Sequence, residues 1–185
     1  MTEENKAQAV KYQGLYDWMQ SIVVTFLLVL FLLTFVGRTM GVRQSSMMPT
    51  LHDGDRMIVR SIFYTADYGD IIIFSQQTFE DGAALVKRVI ALAGDVVDIN
   101  TQTGTVYVNG EALFEPFTSG PSTRPVTTSF PYTVPEGHVF VLGDNRNGST
   151  DSRDVEIGSV DQREIIGQVV AVVAPFSRAR LFVWS

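Results

Sequence analysis

No cysteine occurs in the chain. That excludes a disulfide framework, a thiolate nucleophile and any zinc or iron–sulfur site built on sulfur. Histidine is nearly as scarce, with only His52 and His138, which leaves little for a metal cluster. Lysine is confined to Lys6, Lys11 and Lys87. Any chemistry beyond the N-terminal region that needs an amine therefore falls on Lys87. Positive charge is in deficit too: the formal net charge is −6, and a nucleic-acid footprint of clustered Lys and Arg is missing.

What remains is an apolar chain with an ordered composition, 45% hydrophobic and 18% charged, unlike a disordered segment. Its 185 residues allow a membrane segment plus one domain with a sizeable core. From Trp18 to Gly37 there are 20 residues without a charge, and Ile22 to Val36 is almost wholly Ile, Val, Leu and Phe. A helix of that length spans roughly 30 Å, the thickness of the hydrocarbon core. Trp18 and Arg38 stand where interface anchors belong. No Ala-x-Ala site follows, so an uncleaved anchor is expected rather than a cleaved secretory signal. The expected organisation is a polar tail over 1–17, a transmembrane helix over 18–38 and a β-rich domain over 39–185.

Beyond Gly41 the pattern is β. Arg56–Ile62 and Asp70–Ser75 are short runs rich in Ile, Val and Phe, bounded by Gly54-Asp55 and Gly69-Asp70. Leu85–Leu92, Val96–Ile99, Thr105–Val108, Glu111–Phe114, His138–Leu142, Ile165–Val173 and Ala179–Trp184 continue the series. Asn109-Gly110 between two of these runs predicts a hairpin turn. The fold class read from this is mostly β, one N-terminal transmembrane helix followed by a catalytic domain of antiparallel sheets. Residues 115–136 carry Pro116, Pro121, Pro125, Pro131 and Pro135 among many Ser and Thr. They read as a long exposed surface connection, with contact to substrate or membrane as the alternative.

Three stretches carry the candidate chemistry. In Gln44-Ser45-Ser46-Met47-Met48-Pro49-Thr50-Leu51, Pro49 fixes φ and keeps the segment out of regular helix or central strand. Met48 before it is pushed towards extended geometry. A serine on such a stiff segment is a candidate nucleophile; a strand entering a turn is the plain alternative. Its hydroxyl needs a base. His52 and His138 both sit in turns and read as solvated. Lys87 lies in Ala84-Leu85-Val86-Lys87-Arg88-Val89-Ile90, where strand alternation puts Leu85 and Val89 on its face. A free lysine has a pKa near 10.4, so roughly one in 2,500 is neutral at pH 7. Apolar burial raises that fraction by disfavouring the ammonium. The alternative is a strand lysine that snorkels to water. The third stretch, Gly143–Arg153, is dense in Gly, Asp, Asn, Arg and Ser but lacks the acidic spacing of an EF-hand loop. It reads either as a hydrogen-bonded loop or as a support shell, with Ser149 near the base and an Asp151–Arg153 ion pair.

Together these stretches resemble the bacterial type I signal peptidases. Ser46-Met47-Met48-Pro49-Thr50-Leu51, with Gly54-Asp55 following, is similar to the family's serine box. Val86-Lys87-Arg88-Val89-Ile90-Ala91-Leu92-Ala93-Gly94-Asp95 is similar to its lysine box. Gly143-Asp144-Asn145-Arg146, with Ser149, Asp151, Ser152 and Arg153, is similar to its last box. The order and the preceding apolar segment agree, and the resemblance runs from about residue 18 to 174.

The resemblance implies a membrane-anchored serine endopeptidase that cuts signal sequences from exported preproteins, with a Ser–Lys dyad on the outer face of the membrane. Ser46 would be the nucleophile and Lys87 the general base. Ser149 would orient the amine, and Asp151 and Arg153 would be structural support. The Ser46 N–H would be an oxyanion donor. Val42, Leu51 and Val86 would wall shallow pockets for small substrate residues. No metal or organic cofactor is implied; the partners are preprotein signal peptides and the lipid bilayer. Charge bias alone points the other way. Arg38, Arg43, Arg56 and Arg60 outnumber Lys6 and Lys11, which by the positive-inside rule places the domain in the cytoplasm; the resemblance implies the outer face. Departures from the family's pattern are Gln44, where a small residue or a hole-completing serine is usual, and Ala91 and Ala93, where glycine and proline are usual. The Gln44 amide is a substitute oxyanion donor, or the hole relies on backbone alone. The rival functions are a self-cleaving Ser–Lys protease of related fold and an inactive membrane-anchored β-rich binding module.

Overall fold

The computed structural model describes residues 3–31, 38–41, 45–77, 79 and 82–182. The chain divides into two compact units, Met1–Arg38 and Thr39–Ser185.

The first unit holds α1, Glu3–Phe31. It begins well inside the stretch expected to be a polar tail. That stretch carries Ala, Glu, Gln and Lys with no Gly or Pro before Gly14, and such residues propagate a helix once an adjoining segment has nucleated it. Trp18, Ile22, Phe26 and Leu28 are exposed along it. The expected 18–38 span runs on into residues 32–37, which lie outside the described residues. Among the described residues no helix is long and apolar enough to cross a membrane.

Among the described residues the regular structure of the second unit is β apart from short 3₁₀ turns. Its strands are β1 (Arg38–Gly41), β2 (Arg56–Arg60), β3 (Ile71–Ser75), β4 (Ala84–Ala91), β5 (Val96–Asn100) and β6 (Thr105–Val108). They continue as β7 (Glu111–Ala112), β8 (Tyr132–Thr133), β9 (His138–Leu142), β10 (Val160–Asp161), β11 (Ile165–Ala174) and β12 (Arg180–Leu181). The large sheet runs β1-β2-β11-β3-β4-β9-β10, with β12 on β11, and a small sheet runs β7-β6-β5-β8. The pairings from β2 through β10 are antiparallel, as are those of the small sheet.

The run Ile71-Ile72-Ile73-Phe74 lacks polar alternation because both faces of β3 are covered. Ile71 and Ile73 join a core with Met57, Val59, Val169 and Val172. Ile72 and Phe74 join a second core with Leu85, Val89, Val139 and Val141. This is the period-two division of a strand between two apolar layers. Strand β9 repeats it, sending Phe140 and Leu142 into a third core with Ile90, Val97, Ile99 and Val106. Asn109 and Gly110 both have positive φ, 53° and 83°, the backbone a two-residue type I′ hairpin requires. The strand expected over Glu111–Phe114 ends at Ala112, and within that expected over Ala179–Trp184 the described residues hold a strand at Arg180–Leu181, Val183 and Trp184 lying outside them.

Within residues 115–136, expected as a long exposed surface connection, 115–128 form a strap docked on residues 143–154. Arg153 Nη1 donates to Ser122 Oγ at 2.6 Å. The Arg153 carbonyl accepts the Thr127 and Thr128 N–H groups. Arg124 grips Asp154 with two nitrogens, and Arg146 Nη1 donates to Glu115 Oε2 at 2.6 Å. Proline and Ser/Thr residues suit this role, since an irregular segment must satisfy its backbone through side chains and turns.

Candidate active site

Ser46 sits in a tight turn whose geometry is set by the apolar residues after it. Met47 and Leu51 are 1% and 0% exposed and enter the core formed by β2, β3 and β11. Two backbone bonds close the turn, Met48 N–H to Ser45 O at 3.1 Å and Leu51 N–H to Met47 O at 2.8 Å. Burial of the two anchors, roughly 1.5–3 kcal/mol for each large apolar side chain, holds the part-buried Ser46 on a rigid base.

Lys87 comes from the middle of β4. It lies opposite Ile72 of β3 and shares its strand face with Leu85 and Val89, both buried in the second core. The side chain is 1% exposed. Its Nζ is hydrogen-bonded to Ser46 Oγ at 3.0 Å and donates to the Val86 carbonyl at 3.1 Å. A cavity of about 220 Å³ opens over this pair, walled by Ser45, Phe79, Leu85, Gly148 and Thr150.

Where β9 ends, the chain turns beside the pair. Gly143 is packed so closely that an added Cβ would collide with the Ser149 side chain and lie 2.6 Å from the Ser46 carbonyl oxygen. Ser149 is buried, and its hydroxyl donates to the Thr150 carbonyl at 3.4 Å. Asp151 and Arg153 form a two-pronged pair, Nε to Oδ1 and Nη2 to Oδ2, each at 2.7 Å, with neither side chain exposed. Burial drives the Asp151 carboxyl upward. The bonds and charge of Arg153, with the Gly143 N–H on Oδ2, outweigh it and hold the group below the usual carboxylate range.

The structure thus brings Ser46, Lys87, Gly143 and the 149–153 segment together. Val42 and Gln44 lie outside the described residues. Leu51 is wholly within the core beneath the turn, and Val86 is partly buried against the same core.

Several contributors carried no individual reading in the sequence. Arg88, beside Lys87, makes a buried two-pronged pair with Asp144, at 2.8 and 2.6 Å. The Phe117 ring lies 4.0 Å from its guanidinium carbon. Asn145 donates its N–H to the Ser46 carbonyl at 3.0 Å and its side-chain amide to the Ser45 carbonyl at 3.2 Å. The available signal was the charge of Arg88 inside an apolar strand, since a buried guanidinium requires a carboxylate.

Comparison with known proteins bears on this arrangement. The family described as signal peptidase, peptidase S26, matches residues 15–174. A signal peptidase I of Bacillus licheniformis is 35% identical over 190 residues, spanning 97% of this chain and 98% of its own. A probable signal peptidase I-1 of Synechocystis is 38% identical over 176 residues, covering 90% of this chain and 86% of that one. A crystal structure of a signal peptidase I from Enterococcus faecalis matches with a TM-score of 0.45 at 33% identity, covering 57% of this chain and 97% of that one. With the family match running from α1 through β11, and relatives of this identity along most of their length, the chain belongs to the signal peptidase I family, peptidase S26.

Proposed function

We propose that the protein removes signal peptides from exported preproteins by acyl transfer to Ser46, with neutral Lys87 as general base. The observation that carries this reading is the 3.0 Å contact between the Lys87 amine and the Ser46 hydroxyl at a site where the amine is almost wholly buried. Burial in an apolar layer disfavours the ammonium. A neutral amine keeps a lone pair for the Ser46 proton while one of its own hydrogens donates to the Val86 carbonyl.

In the reaction, Ser46 Oγ attacks the carbonyl carbon of the scissile peptide as its proton passes to Lys87 Nζ. The Ser46 N–H, which donates to no acceptor among the described residues, meets the oxygen that gains negative charge. Collapse breaks the C–N bond, and the Lys87 ammonium returns the proton to the leaving amine. Water then attacks the acyl ester, again losing its proton to Lys87; the bond from the acyl carbon to Ser46 Oγ breaks, Lys87 returns the proton to Oγ, and the signal peptide leaves with a new carboxylate. Ser149 orients the amine in this scheme, and Asp151 with Arg153 keeps the 149–153 segment in place. Gln44 supplies a second oxyanion donor, and Val42, Leu51 and Val86 shape the pockets for small residues.

The same proposal places the chain in the membrane by a single span over 18–38, with the β unit on the extracytoplasmic face. The uncharged stretch in the sequence and the exposed apolar side chains of α1 support it. A tether in the bilayer that also holds the substrate's signal sequence raises the effective substrate concentration. The test is preprotein processing by Ser46→Ala and Lys87→Met in the full chain, with protease accessibility of the β unit in intact cells. Both variants are expected to lose processing by roughly 10²-fold or more; undiminished processing in either refutes the dyad. Cleavage of the β unit only after the cells are opened refutes the orientation.

A further inference from the structure

Asn145 is bonded to both carbonyls that flank the Ser46 Cα. Its N–H donates to Ser46 O at 3.0 Å, and its side-chain nitrogen donates to Ser45 O at 3.2 Å. A peptide unit is planar and trans, so the Ser45 carbonyl and the Ser46 N–H point in opposite directions within one rigid plane. Whatever fixes the first aims the second. The Ser45 carbonyl also accepts the Met48 N–H at 3.1 Å, leaving its other lone pair for the Asn145 amide.

The amide is itself held. Its Oδ1 accepts from Ser119 Oγ at 3.3 Å, a hydroxyl whose one proton is shared with the Asp144 carbonyl at 3.4 Å, and this leaves the nitrogen facing Ser45. Ser119 is anchored by its own N–H on the Asp144 carbonyl at 3.0 Å. On the other side Gly148 packs against the amide so tightly that an added Cβ would lie 2.6 Å from Nδ2. The chain of contacts therefore runs from the proline-rich strap through Ser119 and Asn145 to the peptide that carries the Ser46 N–H.

We propose that Asn145 is a positioning residue for the oxyanion donor, setting the tilt of the Ser45–Ser46 peptide plane, and that Ser119 of the strap keeps the Asn145 amide in the orientation this requires. The assignment rests on Ser46 being the nucleophile and its N–H an oxyanion donor. A donor fixed in direction before substrate arrives needs no reorganisation as charge develops, which is where such donors gain their effect. Only interactions stronger in the transition state than in the ground state raise kcat, so loss of Asn145 falls on kcat and leaves KM nearly untouched.

The experiment uses the full chain in detergent and a peptide spanning a signal-peptide cleavage site. The variants are Asn145→Ala, Asn145→Asp, Ser119→Ala and the Asn145→Ala/Ser119→Ala pair, with Ser46→Ala as control. An active Ser46→Ala protein would sink the functional reading itself; an inactive one leaves the Asn145 arms to judge this inference alone. Asn145→Ala is expected to lower kcat by roughly 10- to 100-fold, less than outright removal of a donor, with KM within about 2-fold. Asn145→Asp keeps the shape and the Ser119 bond but turns the donor into an acceptor facing Ser45 O, and is expected to lose at least as much. Ser119→Ala is expected to lower kcat severalfold alone and to add nothing beside Asn145→Ala, because both act through one amide. Parental kcat in Asn145→Asp, a loss that appears mainly in KM, or additive losses in the pair would overturn the proposal. If neither Asn145 variant folds, parental kcat in Ser119→Ala overturns it.

Discussion

Arg88 and Asp144 form a fully buried pair, 1% and 0% exposed, joined by two parallel hydrogen bonds between the residue after Lys87 and the residue after Gly143. Arg88 also donates to the Gly69 carbonyl at 2.8 Å. Breaking a buried pair leaves a charge without its partner, whereas replacing both members with apolar groups removes the cost along with the attraction. Asp144→Asn is therefore expected to destabilise the β unit by about 3–5 kcal/mol. Arg88→Met/Asp144→Leu should recover most of that loss. Urea unfolding of the three proteins checks it, and a single variant costing less than about 1 kcal/mol would show the pair to be dispensable.

Gly143 lacks room rather than needing an unusual backbone. A methyl group there must displace the buried Ser149 side chain, the Ser46 carbonyl, or both. Shifts of about 1 Å in a catalytic group cost on the order of 10²-fold in rate. Gly143→Ala is expected to slow acylation of Ser46 by 10- to 100-fold, on that same scale, while the protein still folds. Single-turnover kinetics with a peptide substrate will read this directly. Wild-type acylation would mean that the 143 and 149 segments move apart at no cost.

What could be read from the sequence was whatever has a period or a forced backbone. Ile71–Phe74 declared a strand, and its unbroken apolar run is explained by cores on both faces. Asn109-Gly110 declared its turn, and Pro49 kept the Ser46 segment irregular. The strap was unreadable because its order comes from partners far along the chain. Arg153 reaches Ser122 across 31 residues and Arg124 reaches Asp154 across 30, and no local pattern in a Ser/Thr/Pro stretch encodes such partners. The start of α1 was missed for the opposite reason. The mixed charge of residues 1–17 marks a polar tail and gives no period, although Glu, Lys, Gln and Ala are all strong helix formers.

The hairpin turn offers a measurement free of packing effects. A Cβ on Gly110 meets nothing within 4 Å, yet the residue has φ +83°. Gly110→Ala therefore carries only the cost of left-handed backbone in an L-residue, about 1–2 kcal/mol. The melting temperature should fall accordingly, with peptide cleavage unchanged because the turn belongs to the small sheet. A loss near zero would mean the turn adopts another backbone form.

Asp151 gives the acid limb of stability a specific origin. Burial opposes its ionisation, but Arg153 and the Gly143 N–H prevail, so its folded carboxyl titrates below the unfolded value of about 3.9. A group depressed in the folded state contributes stability that is whole above the unfolded value and is lost as pH falls towards the folded one. In that window the native protein binds fewer protons at this site than the unfolded chain, a difference of at most one proton, which caps the slope from this site at about 1.4 kcal/mol per pH unit. Asp151→Asn removes that slope and also leaves Arg153 buried opposite a neutral amide, so it is expected to be less stable at pH 7 but to lose stability more slowly below pH 4. Denaturant curves collected from pH 7 down to pH 3 for both proteins test this. Parallel stability profiles would move the acid sensitivity to other carboxylates and leave the Asp151–Arg153 pair without a role in it.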